Sequence, residues 1–196
     1  GRTLVGASPE ILVRHRGSEI LSYALAGTAP KDGPNAWTEE QLLTNTKNII
    51  EHNIVRDRIV NTMKQITSDV TVGETGIMEL SHLYHLRTII TAKDSTKSLV
   101  EWAKLLHPTP ALGGEPREKA LALLQEYESH ERGMYAAPFG FMKDMGDGIV
   151  IVAIRSALIM DNVLYAYAGC GVVADSNADE EYAETNNKMR TILDAL

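Results

Sequence analysis

Apolar positions alternate or run together in the first part of the chain and later fall at helical spacing, and this change of period marks out the elements. LVGAS at 4–8, ILVRHR at 11–16 and EILSYALA at 19–26 predict strands, the last two forming an antiparallel hairpin around Gly17 and Ser18. AGTAPKDGPNA is rich in Gly and Pro and reads as a loop. From about Trp37 to Ile66, Leu42, Leu43, Ile49, Ile50, Ile54, Val55, Ile59 and Met63 recur at helical spacing and predict one long amphipathic helix. Short strands are expected at 69–72 and 84–91, then a helix near 96–106. HPTPALGGEP is too rich in Pro and Gly for regular structure, and Pro116 suits the first turn of a helix running to about His130. Beyond MYAAPFGFM, the turn at Gly146 and Gly148 leads into GIVIVAIRSALIM. That run is nearly continuous and apolar, as a strand buried on both faces would be, and Asp161 and Asn162 turn it back into VLYAYAG. Asn177, with Glu180 three residues on, caps a last helix that reaches the C-terminus. Hairpins segregated from long helices indicate an α+β fold.

Composition limits the function classes. With 196 residues, 44% of them hydrophobic, the chain can build a single substantial domain over 1–196. A formal charge of −7 without a basic run argues against nucleic acid or an anionic membrane surface as partner. No apolar stretch reaches the roughly 18 residues of a membrane-spanning helix. The single cysteine, Cys170, excludes an internal disulfide and fits a reducing compartment, so a cytoplasmic location is expected. The chain begins GRTLVGASPE without an initiating Met, and a longer parent protein, truncated here at its N-terminus, is the expectation. Strand edges left unpaired by such a truncation would favour a homo-oligomer.

Candidate chemistry concentrates near the C-terminus, in GCGVVADSNADEEYAETNNK. Gly169 and Gly171 allow a ligand close to the backbone. Glu181, Glu184 and Lys188 follow at i, i+3 and i+7, on one helical face, where two carboxylates suit a hard cation such as Mg²⁺ and the lysine an anion beside it; a solvated charged helix is the competing reading. Glu51 and His52 stand among apolar positions, where a carboxylate is costly unless paired or bound to a metal. Arg155 interrupts an apolar strand and calls for a carboxylate partner, either a ligand's or one of the 26 acidic residues. His85 lacks neighbours at zinc-ligand spacing and reads as a hydrogen-bonding histidine. Ser8 to Glu10 and Ala26 to Thr28 are each compatible with ordinary turn chemistry.

The order of these segments resembles the chorismate-utilising enzyme family, which includes isochorismate, salicylate, anthranilate and aminodeoxychorismate synthases. The resemblance is carried by GASPEIL at 6–12, LAGTAPK at 25–31, KNIIEH at 47–52, His85 and Leu86, HPTPALGG at 107–114, YAAPFGF at 135–141, AIRSALI at 153–159 and the closing GCGVVADSNADEEYAETNNK. HPTPALGG followed by EPR, and MYAAPFGF followed by VAIRSALI, are most similar to isochorismate synthases serving menaquinone synthesis. The amine-transferring branches carry a glycine-rich variant ending in GAPK after the HP pair, which this chain lacks. Lys31 stands where arginine is common after AGTxP, keeping the charge without the bidentate fork.

The resemblance implies two antiparallel sheets packed centrally with helices outside, in four layers (α/β/β/α). It also implies Mg²⁺-dependent conversion of chorismate to isochorismate, with water added at C2 and the C4 hydroxyl lost. Hydroxide leaves poorly, and the resemblance makes Glu10 the general acid, whose proton must be held by a desolvated or anionic setting. It makes Glu51 and Glu184 the Mg²⁺ ligands, with Glu181 acting directly or through water. Arg155 takes the enolpyruvyl carboxylate, helped by Tyr135, Lys188 and the backbone N–H groups near Gly169 and Gly171. Ala26, Gly27 and Thr28 line the ring, and His85 orients the departing hydroxyl. The water-activating base of the family is a lysine ahead of the SPE motif, whereas no lysine here precedes Lys31, so the chain alone is expected to be inactive. Salicylate synthase, which goes on to eliminate pyruvate, a siderophore-pathway isochorismate synthase, and a non-catalytic module binding chorismate and Mg²⁺ are the alternatives.

Overall fold

A computed structural model of the chain describes residues 1–195. The strands, in chain order, are β1 (Arg2–Gly6), β2 (Ile11–Arg16), β3 (Glu19–Pro30), β4 (Val70–Glu79), β5 (Leu83–Lys93), β6 (Pro138–Met142), β7 (Gly148–Val152), β8 (Ser156–Met160) and β9 (Val163–Tyr167). The helices are α1 (Glu39–Thr44), α2 (Thr46–Lys64), α3 (Leu99–Leu106), the single turn α4 (Pro110–Gly113), α5 (Arg117–Tyr127) and α6 (Ala178–Leu193). All strand pairs are antiparallel, in a six-stranded sheet of order β4-β5-β3-β2-β7-β6 and a three-stranded sheet of order β1-β8-β9. The fold is therefore α+β, with two antiparallel sheets and helices.

Helices α2 and α3 cover one face of the larger sheet. Val55, Ile59 and Met63 of α2 and Leu99, Trp102 and Leu106 of α3 meet Leu12, Ile20, Ala24 and Ile90 in one core. Local chemistry sets the helix starts: Ser98 and Glu101 form a capping box at α3, and Asn177 accepts from the N–H groups of Asp179 and Glu180 at α6.

Several expected boundaries move. The long helix expected from Trp37 to Ile66 is two helices, because Asn45 leaves the helical region (φ −75°, ψ 118°) and caps α2 through the Asn48 N–H, while Thr38 and Gln41 box the start of α1. The loop expected at 26–36 is strand as far as Pro30, since 28–30 pair with 83–85 of β5. Strand β4 runs far past Val72 although most of it is exposed, so backbone pairing with β5, not apolar burial, makes it a strand. Pro110 to Gly113 form a helical turn inside the Pro- and Gly-rich segment, and α5 stops at Tyr127, with Pro116 just ahead of its first turn. Helix α6 ends at Leu193; the expected run to the C-terminus includes Leu196, which lies outside the described residues.

The most consequential correction concerns 148–160. The expected continuous strand breaks after Val152 and changes sheet, β7 pairing with β2 and β8 with β1, and neither half is buried on both faces throughout. Strands β1 and β2 make the same change in the opposite direction. The two crossings stay paired, Val152 N–H donating to Glu10 O (3.1 Å) and Ala7 N–H to Arg155 O (3.0 Å). Arg155 takes φ +49°, a left-handed backbone uncommon for a side chain of its size. This seam sets Ser8 to Glu10 beside Ala153 to Arg155.

Candidate active site

At the seam Glu10 is 2% exposed, and its Oε1 accepts from Thr109 Oγ1 at 3.3 Å. Burial raises its pKa to about 7 in spite of Thr109 and the nearby cations Arg155 and Lys188. Arg155 is also buried, and its Nη2 lies 2.8 Å from His85 Nε2. A guanidinium only donates, so Nε2 accepts, and Nδ1 carries the proton that it gives to Thr28 Oγ1 at 3.0 Å. His85 is thus neutral, and burial, then Arg155 and Lys188, hold its pKa well below the usual imidazole value. Arg155 Nε is buried without a partner.

Thr28 reaches His85 because β3 bulges. The register slips between Leu25, opposite Arg87, and Thr28, opposite His85, with Gly27 at φ +80°. A Cβ on Gly27 would lie 2.9 Å from Asn48 O, so α2 presses directly on the bulge. It also grips it: Asn48 Oδ1 accepts from Thr28 N–H (3.0 Å), and His52 Nδ1 donates to Ala26 O (3.1 Å) while its Nε2 accepts from Thr88 Oγ1 (2.7 Å). His52 is accordingly a buried anchor of this backbone.

Among the described residues four side-chain carboxylates are buried: Glu10, Glu51, Asp94 and Glu181. Asp94 accepts four hydrogen bonds, from Thr96 N–H and Oγ1, Lys97 N–H and Trp102 Nε1; against the upward push of burial, these donors leave its pKa lowered. It is structural. Glu51 is different: its Oε2 has no hydrogen-bond partner, and burial, with Glu184 adding to it, raises its pKa to about 7. Gly171 makes room for it, since a Cβ there would collide with the Glu51 carboxylate. Glu181 meets Lys47 Nζ at 2.5 Å, an ion-pair contact that leaves both its oxygens without an aligned donor. Burial pushes its pKa up and the Lys47 ammonium pulls it below the usual value. Lys188 Nζ holds Glu184 Oε1 at 2.5 Å and Gly169 O at 3.0 Å.

A cavity of about 670 Å³ gathers most of the residues singled out in the sequence: Glu10, Ala26, Thr28, Glu51, His85, Tyr135, Arg155, Gly169, Gly171 and Lys188 all line it. Tyr135 stacks on Tyr167, with ring centroids 5.3 Å apart. Glu181 and Glu184 line a second cavity of about 910 Å³, which shares Thr28 with the first. Gly27 lines neither, and Lys31 pairs with Glu79 Oε1 at 2.5 Å, away from both. Thr109 and Lys47 were not singled out, although both sit in motifs that carry the resemblance. Among the described residues no group of three or more His, Cys, Asp or Glu stands ready to chelate a metal, and Glu181 and Glu184 are each met by a lysine. The donor set itself suits a hard divalent cation: oxygen ligands only, with buried oxygens on Glu51 and Glu181 that make no aligned hydrogen bond.

Among known proteins, the family described as chorismate binding enzyme matches residues 1–196. Isochorismate synthase MenF of Bacillus subtilis is 39% identical over 202 residues, covering 100% of this chain and 43% of that protein. Salicylate biosynthesis isochorismate synthase of Pseudomonas aeruginosa is 38% identical over 197 residues, covering 98% and 41%. The crystal structure of DhbC from Bacillus anthracis superimposes with a TM-score of 0.94 at 35% identity, covering 99% of this chain and 53% of that one. More distant matches include anthranilate synthase component 1 of Arthrobacter globiformis. The chain thus spans less than half the length of the first two relatives. Among the described residues no helix is long and apolar enough to cross a membrane.

Proposed function

The chain belongs to the chorismate binding enzyme family, and from that premise we propose that it carries the acid, the anion site and the metal ligands of an isochorismate synthase serving menaquinone synthesis. The observation that carries this reading is Glu10, a carboxyl that keeps its proton to about pH 7 on a cavity wall shared with Arg155 and Lys188. Such a group can protonate a departing C4 hydroxyl at neutral pH. Arg155, with a buried Nε unspent, offers its fork to a substrate carboxylate, and Lys188 adds charge beside it. Neutral His85, held between Arg155 and Thr28, fixes the guanidinium and the Thr28 hydroxyl relative to each other. Glu51 and Glu184, with Glu181, would hold Mg²⁺. The cation would supply positive charge to the ring carboxylate in an otherwise acidic setting.

A second reading rests on Lys188, the one lysine among the described residues that lines this cavity and one already committed to Glu184 and Gly169. If water activation needs a further lysine, the chain alone binds chorismate without converting it. Calorimetry with chorismate and Mg²⁺, followed by chromatography of the mixture, tests both. Binding that requires Mg²⁺ is expected, and absence of binding would end the proposal. Isochorismate formed by the chain alone would remove the binding-only reading, and salicylate would move the chain to the lyase branch. Where isochorismate is formed, Glu10→Gln is expected to lower kcat by about 10²–10⁴-fold while chorismate still binds.

A further inference from the structure

Lys47, one helical turn before Glu51 on α2, stands between the acidic side chains of two helices. Its Nζ is 2.5 Å from Glu181 Oε1 and 3.9 Å from Glu51 Oε2. Neither partner has an aligned donor on the oxygens concerned, so this ammonium lies between two buried carboxylates, with Lys188 also acting on Glu51. Lys47 lines the larger cavity, the one that also exposes Asp32, Asp175 and Glu180 to solvent. Lys188, by contrast, reaches Glu184 from the wall of the smaller cavity. Glu51 lines the smaller cavity and Glu181 the larger, and Lys47 stands between the two carboxylates.

We infer that Lys47 is a displaceable counter-ion. In the metal-free protein its ammonium takes the cation's place between Glu51 and Glu181 and ties α6 to α2; when a divalent cation binds, the flexible side chain swings aside into the larger cavity. This rests on the metal reading above and adds to it a residue that sets cation affinity without being a ligand. The physical consequence is a pair of effects of opposite sign. Removing the charge takes away a repulsion felt by the incoming cation, which strengthens metal binding, and at the same time loosens α6 when no metal is present. A residue with a purely structural role would weaken both.

The test is Mg²⁺ titration by calorimetry of the wild type, Lys47→Met, Lys47→Gln and Lys47→Arg, with amide exchange of α6 followed with and without Mg²⁺. Both uncharged variants should bind Mg²⁺ about tenfold more tightly or better, and Lys47→Arg should stay within about threefold of wild type. Metal-free α6 should exchange faster in the uncharged variants, and Mg²⁺ should restore its protection. If the wild type binds Mg²⁺ and both uncharged variants bind equally or more weakly, the inference is overturned while the metal reading stands. If neither the wild type nor any variant binds, both fall. Binding seen only after the charge is removed would uphold the inference in its strongest form.

Discussion

Two helices carry the acidic side chains of the site, and they are attached to the molecule in opposite ways. Helix α2 presents Glu51 from a turn whose successors Val55, Ile59 and Met63 are at most 2% exposed and packed into the main core. Helix α6 presents Glu181 and Glu184 but buries only Glu181 and Ile192 among its described residues. Ion pairs and polar contacts hold it instead: Lys47 on Glu181 at its start, and near its end Arg190 on Asp32 (3.1 Å) and the His82 ring between Asp32 (2.8 Å) and Asp194 (3.0 Å). A fully buried aliphatic side chain contributes about 1.5–3 kcal/mol, an exposed ion pair about 0–1. One half of the site is thus built into the core and the other is clipped on, so α6 belongs to the part of the molecule that opens most readily.

The sharpest way to break this comparison is to cut one apolar side chain on each helix. Ile59→Ala should lower unfolding free energy by about 2–5 kcal/mol in chemical denaturation. Ile192→Ala should lower it by less than half as much, the difference appearing as faster amide exchange confined to α6. Equal global losses would show α6 to be as much a part of the core as α2.

A second contrast is with pH, and it falls on the core side. Folded, Glu10 holds its proton to about pH 7, whereas an unfolded glutamate releases it near 4.5. Between those values the folded state binds more protons, so stability should fall as pH rises through the window, by up to about 3 kcal/mol. Glu51, also raised to about 7, contributes a slope of the same sign, so Glu10→Gln should remove about half of the combined slope in urea titrations at pH 5 and 7.5. An unchanged slope would place the titrating group elsewhere. The smallest effect is expected from Arg190→Ala, at most about 1 kcal/mol, with exchange rising only in the last turn of α6 and the thermal midpoint nearly fixed.

What could be seen in the sequence was what local chemistry encodes. The hairpin of β2 and β3, the Asp161–Asn162 turn, with φ 51° and 62°, and the Asn177 cap all depend on neighbours a few residues away. The break between β7 and β8 was not visible, because apolar residues continue across it and hydrophobicity does not say which sheet a strand joins. Arg155 stood out as a misplaced charge; its left-handed backbone did not. Helical spacing continued through Asn45, so the cap there was masked by Leu42 and Ile49 on either side. In the site, motif order nominated the lining residues, but Thr109 on Glu10 and Lys47 on Glu181 join distant segments and carry no local mark.

The bulge in β3 has one more consequence. Residues directly opposite in an antiparallel pair share a face, and the step from Leu25 to Thr28 on β3 matches a step of only two residues, Arg87 to His85, on β5. The strand therefore counts one residue more than its partner, and the bulge absorbs that residue so that Thr28 stays on the face of His85. Were the same residues paired without the bulge, Thr28 would fall opposite Tyr84 instead of His85 and would turn to the other face. At this point the site depends on a backbone conformation, Gly27 at φ +80°, as much as on the side chains it presents.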